Sequence, residues 1–393
     1  MKINKILVAV SAALAATTVS AAPSVELFGV LDTGLAYVNE HLNEGMHAPV
    51  GQRTALRVDE HGFVAKGAKS QTTAMGTGNV STWGLKGREK LSDDVTVMFH
   101  LEQAFLADTG EDYNTSKAFE REASVGVESK TWGTVKLGRM PMLMTGSGTT
   151  GVFNSRVNPF GAGWGNMTGG YKFLSGLAVV RLDNLFHYAT PKLGNFQGFL
   201  QYNFGNTSTG SDENTSKVDR YLAGAVTYGS GRWFGALGVD WLNAKSSPSQ
   251  AKDDSYRVYA GGHYAFDNWT AYATAHYLKN VDFIGGYSTR EVAPMMKGQT
   301  LNKGFEAYAV TAGASFKALG GTVMTSAGYG WGKDQNLATK NKYQRANAGL
   351  GYRYSLSKRT MAYGIVGGFW ENADWEKNDI YSNEVIVGLM HRF

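Results

Sequence analysis

The sequence predicts an all-β fold, a transmembrane antiparallel up-and-down β-barrel of about sixteen strands. Three observations predict it. Apolar and polar residues alternate with period two through almost the whole chain after residue 22. Several of these strands carry an aromatic residue at each end of one face. The connections alternate between short turns and long polar loops.

Composition agrees with strands rather than helices. The 393 residues include 50 Gly, 20 Tyr, 19 Phe and 9 Trp, and glycine and aromatics are both poor helix formers. With no cysteine there is neither a disulfide framework nor a thiolate metal site. Residues 1–21 read as a cleaved export signal. Lys2 and Lys5 form its basic start, residues 6–16 its apolar core, and Val19-Ser20-Ala21 the cleavage site. Residues 22–393 then form one barrel domain without a linker. No later run of 18 apolar residues exists, so no transmembrane helix is expected. Loss of the two leader lysines lowers the formal charge from +5 to about +3. No Lys/Arg run or stripe is available to neutralise a phosphate backbone, which argues against a nucleic-acid partner.

The aromatic spacing decides where the strands sit. Five segments place two aromatics eight residues apart on one face: Phe196 and Phe204, Trp233 and Trp241, Tyr256 and Tyr264, Trp269 and Tyr277, Tyr308 and Phe316. Residues between them on that face are small or apolar, while the opposite face carries Gln201, Asn203, Arg257, His263, Thr274 and His276. Eight residues at ~3.3 Å each span roughly 26 Å, reduced to roughly 20 Å along the axis by a tilt of about 40°. That is close to the apolar band of an outer-membrane barrel, flanked by aromatic girdles at both interfaces. A soluble sandwich would instead hide its aromatics in mid-strand.

Short turns are predicted at 89–94, 130–133, 191–195, 229–232, 265–268, 317–320 and 355–359, and long polar loops at 39–78, 205–219, 243–254, 279–304, 332–341 and 371–379. Short turns on the periplasmic side and long loops outside fit such a barrel, and an even strand number brings both chain ends to the short-turn side.

The chain resembles a known family in an ordered set of motifs. They are the opening strand 25–32 (VELFGVLD), Trp83-Gly84-Leu85-Lys86-Gly87, residues 99–109 (FHLEQAFLADT), 132–139 (WGTVKLGR), Arg181-Leu182-Asp183-Asn184, 356–360 (LSKRT) and the terminal 387–393 (VGLMHRF). Together they are similar to the Gram-negative general diffusion porins, most nearly the betaproteobacterial trimeric type, over essentially all of residues 22–393. The resemblance implies a homotrimer in outer-membrane lipid and lipopolysaccharide, open to small ions and hydrophilic solutes, without a cofactor. It also implies that a terminal aromatic, here Phe393, is a signal to the barrel-assembly machinery, a role compatible with its being a girdle residue.

A barrel of this width leaves an aqueous lumen that something must narrow. The resemblance assigns this to an inward-folded third loop, about 140–180, facing an arginine cluster on the wall. It carries Arg139 and Arg181 onto that cluster, both side chains expected in the lumen, with Lys86 as a further match. His187 shares the strand parity of Arg181. The sequence departs from the family pattern twice: Thr82 stands where relatives frequently have arginine, and residues 140–182 contain no Asp or Glu. The loop offers Arg156 and Lys172 instead, with Glu102 and Asp183 near enough by parity to neutralise part of the charge. A net positive constriction that prefers anions is the expectation.

Other functions have weaker support. Ser147 in Gly146-Ser147-Gly148 is not on a strand-turn-helix elbow, and no H-E-x-x-H or metal-ligand spacing occurs. Gly161-x-Gly163-x-Gly165 follows no strand opening a helix. An enzyme is therefore not expected. A solute-specific channel, for a sugar or an organic anion, is the alternative; Phe199, Tyr259 and Tyr272 are inward aromatics without an evident ladder. Loop composition does not decide an adhesin role.

Overall fold

The computed structural model describes residues 24–41, 69–76, 78–146, 148–153, 155–161, 164, 170, 174, 181–205, 220–243, 253–281, 283–284, 287–288, 304–335, 341–374 and 379–393. The expected export signal and Lys172 lie outside the described residues.

The strands are β1 (Ser24–His41), β2 (Lys69–Gly76), β3 (Ser81–Lys90), β4 (Val95–Phe105), β5 (Glu122–Ser129), β6 (Gly133–Pro141), β7 (Arg181–Ala189), β8 (Phe196–Asn203), β9 (Arg220–Ser230), β10 (Trp233–Asn243), β11 (Ser255–Ala265) and β12 (Trp269–Val281). A separate hairpin, β13 (Phe283–Ile284) and β14 (Tyr287–Ser288), precedes β15 (Phe305–Ala318), β16 (Gly321–Asp334), β17 (Lys342–Ser355), β18 (Thr360–Ala373) and β19 (Ile380–Arg392). Outside that hairpin, consecutive strands pair antiparallel except β2 and β3, which both pair with β1, and β1 pairs β19 from Val30↔Arg392 to His41↔Tyr381, closing the sheet.

The sheet has seventeen segments but sixteen staves. β3 pairs the first half of β1 (Ser24↔Arg88 to Val30↔Thr82), and β2 pairs the second half (Gly34↔Gly76 to His41↔Lys69). Together they make one stave, interrupted around Gly78. β2 thus lies inside the stretch 39–78 read from sequence as a loop, and β1 runs on to His41. The polar run Lys69-Ser70-Gln71-Thr72 shows no apolar alternation in sequence, and its backbone pairs with β1. All seven short turns fall at the predicted places and at one end of the barrel.

The wall is apolar outside. Leu27, Leu35, Val125, Leu137, Leu237, Val310, Leu350, Val385 and Leu389 are all exposed. A continuous apolar band of this size has no place in water and suits lipid. The ten aromatics expected to form the girdles are exposed or half-buried, none of them in the core. Register assembles them into belts. At the short-turn end Phe196 meets Tyr228 (5.0 Å between centroids), Trp233 meets Tyr264 (4.5 Å), and Trp269 stacks on Phe266 (4.3 Å), with Phe316 in register beside it. At the loop end Trp241 pairs in register with Tyr256, and Tyr277, Tyr308 and Trp331 form a run at 5.0 and 5.6 Å. Phe204 lies against Tyr202. Tyr228, Phe266 and Trp331 are belt members that eight-residue spacing does not detect.

The third loop turns inward and lies along the lumenal wall. Leu143 N–H donates to Gln201 Oε1 (2.8 Å) on β8, and Asn158 Nδ2 donates to Ser326 Oγ (2.8 Å) on β16. Phe153 packs on Tyr259 and Trp164 on Tyr363. Several contacts need a wall without side chains. A Cβ at Gly238 would fall 2.5 Å from Met144 Sδ, one at Gly313 2.8 Å from Pro159, and one at Gly351 2.9 Å from Phe160. Met140, Leu143, Met144, Phe153 and Val157 are fully buried there. The apolar core of this barrel is therefore inside its lumen, between loop and wall.

Candidate functional site: the lumen and its constriction

Because the loop covers the lumenal side of β8–β18, open space remains against β1 and β3–β6. A cleft of about 250 Å³ is lined there by Glu26, Lys86, Arg88, His100, Lys136 and Thr149 of the loop, among others. Register places them on one face: Glu26↔Lys86, Lys86↔His100, His100↔Ser124. The loop is pinned at this point, since Thr149 Oγ1 donates to Glu122 Oε1 (2.6 Å) and accepts from Lys136 Nζ (2.7 Å). Lys86 lies 3.1 Å from Glu26 and over the Phe28 ring at 5.0 Å; Arg88 pairs with Glu128 at 2.7 Å. These pairs are substantially exposed and so hold little energy. Their charges remain available to a passing ion.

Towards the loop end, Arg139 and Arg181 enter a denser network. Arg139 occupies a register shift between β6 and β7. It donates through Nη1 to Asp183 Oδ1 (2.6 Å) and through Nε to the Glu120 carbonyl (2.6 Å). Lys117 shares Asp183. Arg121 donates to Glu102 Oε1 (2.8 Å), and His100 Nε2 is 3.5 Å from the same carboxylate. Arg181 lies within electrostatic range of Arg121, Arg139, Glu102 and Glu120. Glu120, in the connection before β5, accepts from the Ala104 N–H, and burial nonetheless pushes its carboxyl up. The structure thus brings Arg139, Arg181, Glu102 and Asp183 together and adds Lys117, Arg121, Glu120 and Glu122. Carboxylates from the wall supply the counter-charge that the loop lacks.

The remaining predicted residues lie apart from this network. His187 is buried, in register with Lys136 and against Phe199 (6.3 Å). Arg156 sits on the loop with its guanidinium over the Phe234 ring at 4.9 Å.

The short-turn half of the opposite wall differs. Lys317 on β15, Arg353 on β17 and Arg392 on β19 are in register with the lumenal residues Thr322, Tyr363 and Val30. No Asp or Glu occurs among the described lumen-facing residues of that half of β10–β19.

A closed wall, apolar outside and charged within, with a loop narrowing the interior, is the architecture of a membrane channel. The chain belongs to the Gram-negative porin family, whose profile matches residues 7–372. It is 28% identical over 405 residues to an outer membrane porin protein of Bordetella pertussis, covering 94% of each chain. It is 26% identical to outer membrane porin protein 32 of Delftia acidovorans, covering 98% of this chain and 94% of that one. Among solved structures it is similar to the anion-selective porin from Comamonas acidovorans (TM-score 0.60, 22% identity, 95% and 100% covered). It is also similar to the outer membrane channel DcaP of Acinetobacter baumannii (TM-score 0.61, 16% identity, 95% and 98% covered).

Proposed function

We propose that the protein is a water-filled diffusion channel for small hydrophilic solutes and ions that prefers anions. The observation that carries the preference is the cationic arc of Lys317, Arg353 and Arg392, joined by Arg156, in a sector without carboxylates among the described residues. In a narrow, low-dielectric lumen such an imbalance outweighs the same charges on an open surface. The network around Arg139 and Arg181 is nearly balanced, so it shapes the field across the opening more than it sets the net sign. Similarity to a porin described as anion-selective points the same way.

The same reading holds residues 1–21 to be a cleaved export signal and the working unit to be a homotrimer in outer-membrane lipid and lipopolysaccharide. It holds Phe393 to be the assembly signal and assigns no enzymatic activity. Reversal potentials of the refolded protein in a planar bilayer under a KCl gradient test the preference. The anion sign is expected, and a cation sign overturns it.

A further inference from the structure

Three aromatic rings stand side by side on neighbouring strands in the lumen. Phe234 on β10, His263 on β11 and Tyr272 on β12 are in direct register. Phe234 and His263 stack at 5.6 Å and 22°, and His263 and Tyr272 meet at 5.7 Å and 55°. Arg156 covers Phe234. His263 and Tyr272 are only half-buried on the lumenal side.

Hydrogen bonds fix the row. The Arg156 carbonyl can only accept, so His263 Nδ1 carries the proton it donates across 2.7 Å, which leaves Nε2 an acceptor in the neutral ring. The Tyr272 hydroxyl is anchored 3.1 Å from Ser315 Oγ. Cations flank the row: Arg156 at one end, and Arg353 within electrostatic range of Tyr272 at the other. Arg353 has no carboxylate partner among the described residues.

From this juxtaposition we infer a binding site for small aromatic carboxylates. A planar ring stacks on His263 and Tyr272 while its carboxylate reaches Arg353 or Arg156. An aliphatic carboxylate gains the charge but not the stacking. A sugar finds the ring faces but, among the described residues beside the row, no carboxylate to accept from its hydroxyls. The site rests on the anion preference proposed above and names the solute class that preference serves.

The test uses the refolded full chain in a planar bilayer, with benzoate, acetate or benzyl alcohol added to KCl. Benzoate is expected to reduce the single-channel current saturably, at a concentration about tenfold below acetate, and benzyl alcohol to have no effect. Tyr272→Leu is expected to bring the benzoate-to-acetate ratio to within threefold of one, and Tyr272→Phe to restore it. The ratio is taken within each trace, so an altered open current does not mimic the effect. Equal action of benzoate and acetate on the wild type, or an unchanged ratio in Tyr272→Leu, overturns the site. The KCl reversal potential, read on the same membranes, separates the two readings: with an anion sign the site alone fails, and a cation sign overturns both.

Discussion

Phe393 and Gly29 face each other across the barrel seam, each donating its backbone N–H to the other's carbonyl over 3.1 Å. The phenyl ring lies where a side chain at position 29 would go, since a Cβ there would fall 2.3 Å from Phe393 Cζ. The terminal aromatic therefore joins the last strand to the first. Gly29→Leu is expected to cost about 1–3 kcal/mol through overpacking, and less, though not nothing, when combined with Phe393→Ala, because the Thr82 carbonyl still lies 2.7 Å from a Cβ there. The check is the temperature at which the compact form is lost in detergent gels.

The contacts between loop and wall predict a contrast on one strand. Gly238 faces Met144 and Phe153, whereas a Cβ at Gly235, on the outer face, meets open space. Gly238→Leu is expected to lift the loop into the lumen and lower single-channel conductance by about half, with a packing cost of about 1–3 kcal/mol. Gly235→Leu is expected to leave conductance unchanged. Single-channel recording compares them.

Arg345 and Glu371 form a buried ion pair near the loop end, with the Tyr343 hydroxyl donating to Glu371 Oε1 (2.6 Å) and Phe369 stacked on the guanidinium at 4.0 Å. Arg345 is 2% exposed. Glu371→Leu alone removes one partner of this buried pair and is expected to cost about 3–5 kcal/mol. Adding Arg345→Met is expected to recover most of that. Thermal denaturation of the refolded barrel resolves the difference.

The cationic arc predicts a graded change of selectivity. Lys317→Gln with Arg353→Gln is expected to lower the chloride-to-potassium permeability ratio severalfold. Lys86→Gln, whose charge is offset by Glu26 at 3.1 Å, is expected to change it less. Bilayer reversal potentials measure both.

The barrel was legible because period two and eight-residue aromatic spacing are local properties of each strand. What remained illegible depends on register and on chain returning from elsewhere. The Glu120 backbone carbonyl meets Arg139, and the Glu122 carboxylate meets Lys136, only when the β4–β5 connection brings β5 against β6. The Phe234–His263–Tyr272 row runs across three strands, so no single segment displays it. Tyr259, inward by parity and thus a candidate for contact with solutes, is buried beneath Phe153 of the loop. Parity gives a side but not what covers it.

The hydrated interior is tested most directly by single-cysteine scanning, for which a chain without cysteine is suited. Lys86→Cys, His100→Cys and Ser124→Cys are expected to react with a membrane-impermeant thiol reagent in liposomes. Leu85→Cys, Leu101→Cys and Val125→Cys, one residue along the same strands, are expected to stay unlabelled. Labelling of the second set with protection of the first contradicts the account.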